Sequence, residues 1–398
     1  MQFRAVLGNA RRPEYGFATI PFPIKNGDYD NTMELLEPLE IGGVMKRDCY
    51  VQEIISDYLI LKRLEKVAVD IDELDYLAKR LDSFTDDEAA AFEGMASKLG
   101  LFDVRDLINL TFCCQEATVI TDFTDLDAVG RSHYLTINGG SSSMDELSKV
   151  DGRSVALALI NGEAGHITPF GVVYDNGMQL RQLYDGRHFP SYLYEPCVME
   201  LEIRSRHVPA DSPGDYLYLP MSQTQIERTM LRAGIDNYGE MSLRFMGNEL
   251  PEEIDAALDM DHENLTALNE MCEAISRLSP ADRMKLAAAV SLAKPEYSSQ
   301  IKELAEQLDL FDFVPGAQTP ADYDRYMITA SGHYEFDENL AEYYDFGKYG
   351  KQRMEQEYGE FSARGYIAYH GTLSLDEIMF GSQGERLDFS MGEMGGMA

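Results

Sequence analysis

The 398-residue chain has no tryptophan and only five cysteines, Cys49, Cys113, Cys114, Cys197 and Cys272, an odd number without CxxC spacing. That excludes a disulfide framework and leaves no zinc signature, so the thiols are expected to be buried small hydrophobes. Positive charge is scarce, with 34 Lys and Arg against 69 Asp and Glu and a formal net charge of -35. A surface of that sign repels nucleic acid and anionic membranes, so no direct contact with either is expected, and it favours a basic partner. No run approaches 18 apolar residues, and the first fifteen residues carry charges throughout without an apolar signal-peptide core, which predicts a cytoplasmic protein.

Signatures of catalysis are equally sparse. Gly350-Lys351 lacks the upstream Gly and the following Ser or Thr of a phosphate loop, and neither HExxH nor GxSxG occurs. The seven histidines are scattered, and His133 and His262-Glu263 have no partner at ligand spacing. Asp70, Asp72 and Asp75 look superficially like a calcium loop, but Asp75 and Leu81 occupy the places that need Gly and a bidentate Glu. The expectation is a non-enzyme without catalytic residues, metal or cofactor.

What the chain has is an internal repeat of 194 residues. Leu74, Leu77, Leu81 and Phe84 recur at helical spacing, Thr85-Asp86-Asp87-Glu88 forms a capping box, and a second apolar stripe follows at Phe92, Met95, Ala96 and Leu99. The same register places Leu268, Met271, Ile275 and Leu278, then a Ser279 cap with Pro280 at the first helical position, then Leu286, Ala289 and Val290. It also relates Gly165, Ile167, Gly171, Val172, Val173 and Gly177 to Gly359, Phe361, Gly365, Tyr366, Ile367 and Gly371. A short β-like run ending in Pro opens each half, Phe17 to Pro21 and Tyr216 to Pro220, offset by slightly more than the repeat.

These patterns predict an α+β multi-domain chain of two copies, each a small antiparallel sheet with a helix, then a helical bundle, then a mixed segment ending in a Gly-punctuated hairpin. The first copy spans 1–177, divided at 1–62, 63–128 and 129–177. A Gly- and Pro-containing junction covers 178–197, the second copy spans 198–371, divided at 198–250, 251–315 and 316–371, and a tail covers 372–398, the part after Phe380 being expected disordered.

The acids concentrate in matching regions. Residues 65–127 hold 16 acidic and 5 basic residues, and residues 252–282 hold 9 and 1. On the first bundle helix Asp72, Asp75 and Asp82 fall opposite Leu74, Leu77 and Leu81 at 100° per residue, so they are expected to face outward. Duplex DNA carries a charge about every 1.7 Å of axis, so the net charge, if all displayed, would match roughly 60 Å of duplex. An acidic face is more often simply solvated, and halophilic proteins are acidic all over, so charge alone permits DNA mimicry without specifying it.

Specificity comes from the second copy, which reads Leu340-Ala341-Glu342-Tyr343-Tyr344-Asp345-Phe346-Gly347-Lys348-Tyr349-Gly350, followed by Phe361 and Gly365-Tyr366-Ile367. This resembles the C-terminal antirestriction motif of the ArdA family, carried on Leu340, Tyr343, Tyr344, Asp345, Gly347, Tyr349 and Gly350. The resemblance spans about 198–371, with Tyr216 to Pro220 and Ile226 to Ile235 similar to the family's opening strand and first helix. In the first copy Asp151 survives, but Val150, Arg153 and Ala156 stand opposite Tyr344, Gly347 and Gly350.

The resemblance implies an elongated, dimerising DNA mimic that inhibits Type I restriction-modification enzymes met by mobile genetic elements. Here a tandem duplication would make a pseudo-dimer within one chain. The carboxylates expected to stand in for phosphates are Asp72, Asp75, Asp82, Asp86, Asp87, Glu252, Glu253, Asp255, Asp259, Asp337, Glu338 and Asp345. Tyr343, Tyr344 and Tyr349 are expected to act as motif scaffolding. The alternative is an acidic adaptor that binds another basic DNA-binding protein.

Overall fold

The computed structural model describes residues 3–380 apart from 163, 210, 261 and 333. The first copy runs β1 (Phe3–Gly8), β2 (Phe17–Phe22), α1 (Tyr29–Leu36), β3 (Cys49–Ile55), β4 (Ala68–Val69), α2 (Ile71–Asp82), α3 (Asp86–Lys98), α4 (Val104–Leu110), β5 (Ala117–Ile120), α5 (Leu126–Ile137), α6 (Met144–Leu147), α7 (Gly152–Gly162), β6 (His166–Thr168) and β7 (Gly171–Asp175). The second runs β8 (Met199–Ser205), β9 (Asp215–Leu219), α8 (Gln223–Arg232), β10 (Met241–Asn248), α9 (Glu252–Asp255), α10 (Leu265–Ser276), α11 (Pro280–Ala293), α12 (Ser298–Glu306), β11 (Phe311–Pro315), α13 (Pro320–Thr329), a 3-10 helix (Glu338–Tyr343), α14 (Phe346–Glu357), β12 (Glu360–Ser362) and β13 (Gly365–Tyr369).

The chain is thus α+β and built twice. From α2 onward, the pairs α2/α10, α3/α11, α4/α12, β5/β11, α5/α13, α7/α14, β6/β12 and β7/β13 each begin 194 residues apart. Strand order repeats as well, β5-β7-β6 matching β11-β13-β12, and β2-β1-β3 matching β9-β8-β10. In the C-terminal sheets both pairings are antiparallel, with Gly171 opposite Thr168 and Gly365 opposite Ser362 at the hairpin ends.

The local codes recur with the elements. Asp70 and Asn264 cap α2 and α10 through their side-chain oxygens, and Thr85 and Ser279 cap α3 and α11. The Thr85–Glu88 capping box and Pro280 in the first turn form as the sequence implies. The stripes Leu74, Leu77, Leu81 and Leu268, Met271, Ile275 are buried, as are Phe92, Met95, Ala96 and Leu286, Ala289, Val290. Leu99 is the exception: it lies at the C-cap of α3 and is exposed, because the helix has already ended.

Three boundaries differ from the sequence reading. Strand β5 falls within 63–128 and β11 within 251–315, yet each pairs with the hairpin of the following segment. Pro23, rather than Pro21, is the counterpart of Pro220: each follows the last residue of its strand, and the Phe22-Pro23 and Leu219-Pro220 bonds are both cis. Ile378 and Met379 are buried and Ser374 forms a reciprocal cap with Glu377, so 374–380 are built into the fold. The expected disorder after Phe380 lies outside the described residues.

By contact the chain divides into two units, Met1–Glu195 with Ile203–Tyr216 and Ser222–Ser242, and Pro196–Glu202 with Leu217–Met221 and Leu243–Ala398. Helix α8 of the second copy therefore belongs to the first unit. So does most of the expected junction, which is closely docked there. Asn109 holds Tyr184 by both backbone groups, donating to its carbonyl at 3.0 Å and accepting from its N–H at 2.8 Å. Phe189 stacks between Tyr76 and Tyr184, with ring centroids 4.6 and 4.8 Å away. The Arg80 guanidinium lies over Phe112 on one side and Tyr192 on the other, 4.4 Å from each ring centre.

Asn109→Ala leaves both backbone groups of Tyr184 without these partners in a dry site. We expect a loss of about 2–4 kcal/mol in urea unfolding of the first unit, with the helical circular dichroism of the native state unchanged.

Candidate partner-binding surface

The twelve carboxylates expected at the surface separate into groups once their surroundings are known. Asp72 and Asp75 do not face solvent; they are 9% and 5% exposed. The helical wheel places them opposite the apolar stripe, but α2 is covered on that side too. Asp72 accepts hydrogen bonds from Tyr29 Oη of α1 at 2.9 Å, from Arg228 Nη2 of α8 at 2.9 Å and from Arg232 Nη2 at 2.7 Å. Burial alone would push its carboxyl up, but Arg232 and Arg228, joined by Tyr29, outweigh it and hold the group below the usual carboxylate range.

Asp75 has a structural role that the repeat makes explicit. Its Oδ1 accepts the Ile24 N–H at 2.7 Å, just after Pro23, and Lys79 pairs with its other oxygen at 2.8 Å. Asn269, its counterpart in α10, accepts the Met221 N–H at 2.8 Å, just after Pro220. A neutral side chain does the same job in the second copy. The 194-residue register would have revealed this from sequence, since it aligns an Asp with an Asn.

Asp82 is half-buried and accepts from Tyr194 Oη at 2.6 Å. Glu253 is half-buried in a two-point pair with Arg364, at 2.9 and 3.0 Å, and these hydrogen bonds lower its pKa. The remaining eight, Asp86, Asp87, Glu252, Asp255, Asp259, Asp337, Glu338 and Asp345, are exposed. Most lie at helix starts, where a carboxylate meets unpaired N–H groups and the positive end of the helix dipole. Asp337 caps the 3-10 helix through the Asn339 N–H, Asp345 caps α14 through the Lys348 N–H, and Asp259 pairs with His262 at 2.7 Å. Asp151, the motif residue that survives in the first copy, likewise caps α7 through the Ser154 N–H.

A further acidic face escaped the sequence reading. Asp30 and Glu34 on α1 and Glu37 at its C-cap follow one another at helical spacing and, with Glu40, line a cavity of about 540 Å³. All four are exposed. The first copy therefore presents acid on α1, where the i, i+4, i+7 spacing of 30, 34 and 37 was the available signal, and buries it on α2.

The motif glycines also resolve by geometry. A Cβ on Gly350 of α14 would run into the Pro320 carbonyl oxygen of α13, so a side chain there would force the two helices apart. In the first copy the close approach has moved: Gly130 and Gly152 are the positions where a Cβ would meet backbone, while Ala156 stands buried opposite Gly350. The motif's departure in the first copy is thus a relocated helix contact. Leu340 and Tyr343 are exposed at 54% and 85%, so neither is packed scaffolding. Tyr349 is half-buried with its hydroxyl 3.0 Å from Tyr334 Oη, Gly347 is half-buried, and the Tyr344 ring packs at a tilt against Phe346 at 4.7 Å and edge-to-face against Phe336 at 5.8 Å.

Where the first copy has Gly130, the second has Asp324, fully buried, and among the described residues neither carboxylate oxygen has a hydrogen bond of good geometry. Burial pushes its carboxyl up to about 6; the Gly350 backbone N–H opposes this, the Asp345 charge adds to it and Arg353 opposes it. Among the described residues no group of three or more His, Cys, Asp or Glu is placed to hold a metal ion, and no helix is long and apolar enough to cross a membrane. No known family model matches the chain, and no curated protein matches it in sequence.

Removing one partner of the Asp72 cluster strands charges in a dry site. Asp72→Asn is expected to cost about 3–5 kcal/mol, read as a lower urea midpoint for the first unit. Because Asp72 is held below its unfolded value, its contribution is present above the unfolded pKa and disappears as pH falls through the folded one.

Asp324 has the opposite sign. Its folded carboxyl titrates near 6 against about 3.9 when unfolded, so stability declines as pH rises from roughly 4 to 6 and stays lowered above that. Asp324→Asn should raise the melting temperature by a few degrees at pH 7.5 and leave it nearly unchanged at pH 4.

Proposed function

We propose that this chain is a DNA-mimic antirestriction protein of the cytoplasm, a non-enzyme whose exposed carboxylates occupy the DNA-binding groove of a Type I restriction-modification enzyme and protect incoming mobile DNA. One observation carries the reading. The segment that resembles the ArdA motif, 340–350, overlaps the most densely acidic exposed run of the second copy, 335–345, in which Glu335, Asp337, Glu338, Glu342 and Asp345 are at the surface without a Lys or Arg among them. The net charge of -35 and the acidic faces on α1, α3 and α9 agree with it.

Attraction between this surface and a groove lined with Lys and Arg is long-range and screened by salt. Contacts are shared among many carboxylates, so each contributes little. Asp72 and Asp75 are removed from that set by burial, and the α1 acids join it.

The tandem arrangement serves as a pseudo-dimer. In support, the homologous helices α1 and α8 meet within the first unit: Ser222 Oγ donates to Asp30 at 2.7 Å and Gln225 Nε2 donates to Asn26 at 3.0 Å. Joining two copies replaces association by an intramolecular contact at high effective concentration.

The test is a titration of a purified Type I methyltransferase, scoring DNA methylation and DNA binding as salt is varied. We expect inhibition competitive with DNA that weakens as salt rises. Asp86→Asn, Glu252→Gln and Glu338→Gln should each change it less than about threefold. Binding to a different basic DNA-binding protein without effect on the methyltransferase would select the adaptor instead, and substrate turnover would point to an enzyme.

A further inference from the structure

The exposed run around the 3-10 helix combines two properties that charge alone does not require. It is acidic, and it holds Leu340 and Tyr343 out to solvent. Beside them a packed aromatic group, Phe336, Tyr344 and Phe346, fixes the base of the run, and the Arg325 guanidinium lies 4.7 Å over the Phe346 ring. The chain already stacks a guanidinium on this cluster, just as it stacks Arg232 over Phe189 at 4.3 Å in the first unit.

We propose that residues 335–345 dock onto arginine side chains of a basic protein, with Tyr343 and Leu340 receiving the flat faces of guanidinium groups whose N–H edges meet the flanking carboxylates. This rests on the antirestriction reading only in taking the partner to be basic.

Three observations favour this occupant. The five flanking carboxylates give charge complementarity to a cationic surface, whereas a second copy of this chain would bring another net -35. A planar, weakly hydrated guanidinium covers an aromatic or aliphatic face while its N–H groups reach carboxylates, which a compact, strongly hydrated ammonium does less well. The repeat supplies an internal contrast: at the positions of Leu340, Tyr343 and Tyr344 the first copy has Glu146, Lys149 and Val150, so the aromatic element is absent and a positive charge stands in its place. The docking surface therefore belongs to the second copy alone.

The experiment measures binding of the full-length chain to deca-arginine and deca-lysine at equal ionic strength, by biolayer interferometry. The wild type is expected to favour deca-arginine by roughly 3–10-fold. Tyr343→Ala combined with Leu340→Ala should collapse that ratio by at least half, and Tyr343→Phe should keep it, because the ring face remains. Asp337→Asn with Glu338→Gln should weaken both peptides together and leave the ratio standing. Tyr343 and Leu340 are exposed, so these variants are expected to melt as the wild type does.

A wild type that binds neither peptide, or a ratio that survives loss of Tyr343 and Leu340, overturns the proposal, as does a change in oligomeric state without a change in peptide binding. The same variants in the methyltransferase titration keep the two ideas apart. Arginine preference without inhibition of the enzyme sinks the antirestriction reading and leaves this surface intact. Inhibition without arginine preference does the reverse.

Discussion

The arrangement of the first unit depends on one buried charge. Asp72 sits at the start of α2 and receives Tyr29 from α1 and both Arg228 and Arg232 from α8, a helix that arrives from the other copy more than 150 residues along the chain. Taking three ionised groups out of water is costly, and an apolar replacement of the same shape can equal such a cluster in stability. What the cluster adds is a penalty for displacing α8, because moving it would strand buried charges without these partners. The burial of a helix face that looks polar goes with this cluster, and the α1–α8 contact lies beside it.

The constraint also makes the two halves unequal. The corresponding position of α10 is Thr266, and Arg228 and Arg232 are matched by Glu34 of α1 and by Pro38 just beyond it, so the second copy's α10 has no such lock. The first copy has put its α2 acids into folding: Asp70 caps, Asp72 anchors α8, Glu73 receives Tyr184 and Asp75 holds the turn after Pro23. Burial and the neighbouring Asp72 push Asp70 itself up to about 7. The second copy has the neutral equivalents Asn264, Ala267 and Asn269 at these helix positions.

That division changes what the net charge means. Some of the 69 acidic side chains close internal hydrogen bonds or cap helices, so the acidic surface open to water is smaller than the composition suggests and differently distributed. It lies at helix starts, along α1 and in the run from Glu335 to Asp345, where carboxylates and exposed apolar groups occur together. It is this combination that the proposed arginine docking would use.

From sequence alone came the duplication, its 194-residue register, the α+β class, the capping box at Thr85 and the apolar stripes of the bundles. These are encoded by local spacing and repeat wherever the backbone repeats. The positions of β5 and β11 were misplaced because a strand is assigned by its partner, and that partner lies more than fifty residues away. The outward facing of Asp72 and Asp75 failed for a similar reason: a helical wheel gives the angle between side chains but not how many sides of the helix are covered. Only the tertiary structure decided that both faces of α2 are covered, that Gly350 is a helix contact and that Tyr343 is exposed, since burial is a property of neighbours brought together by the whole chain.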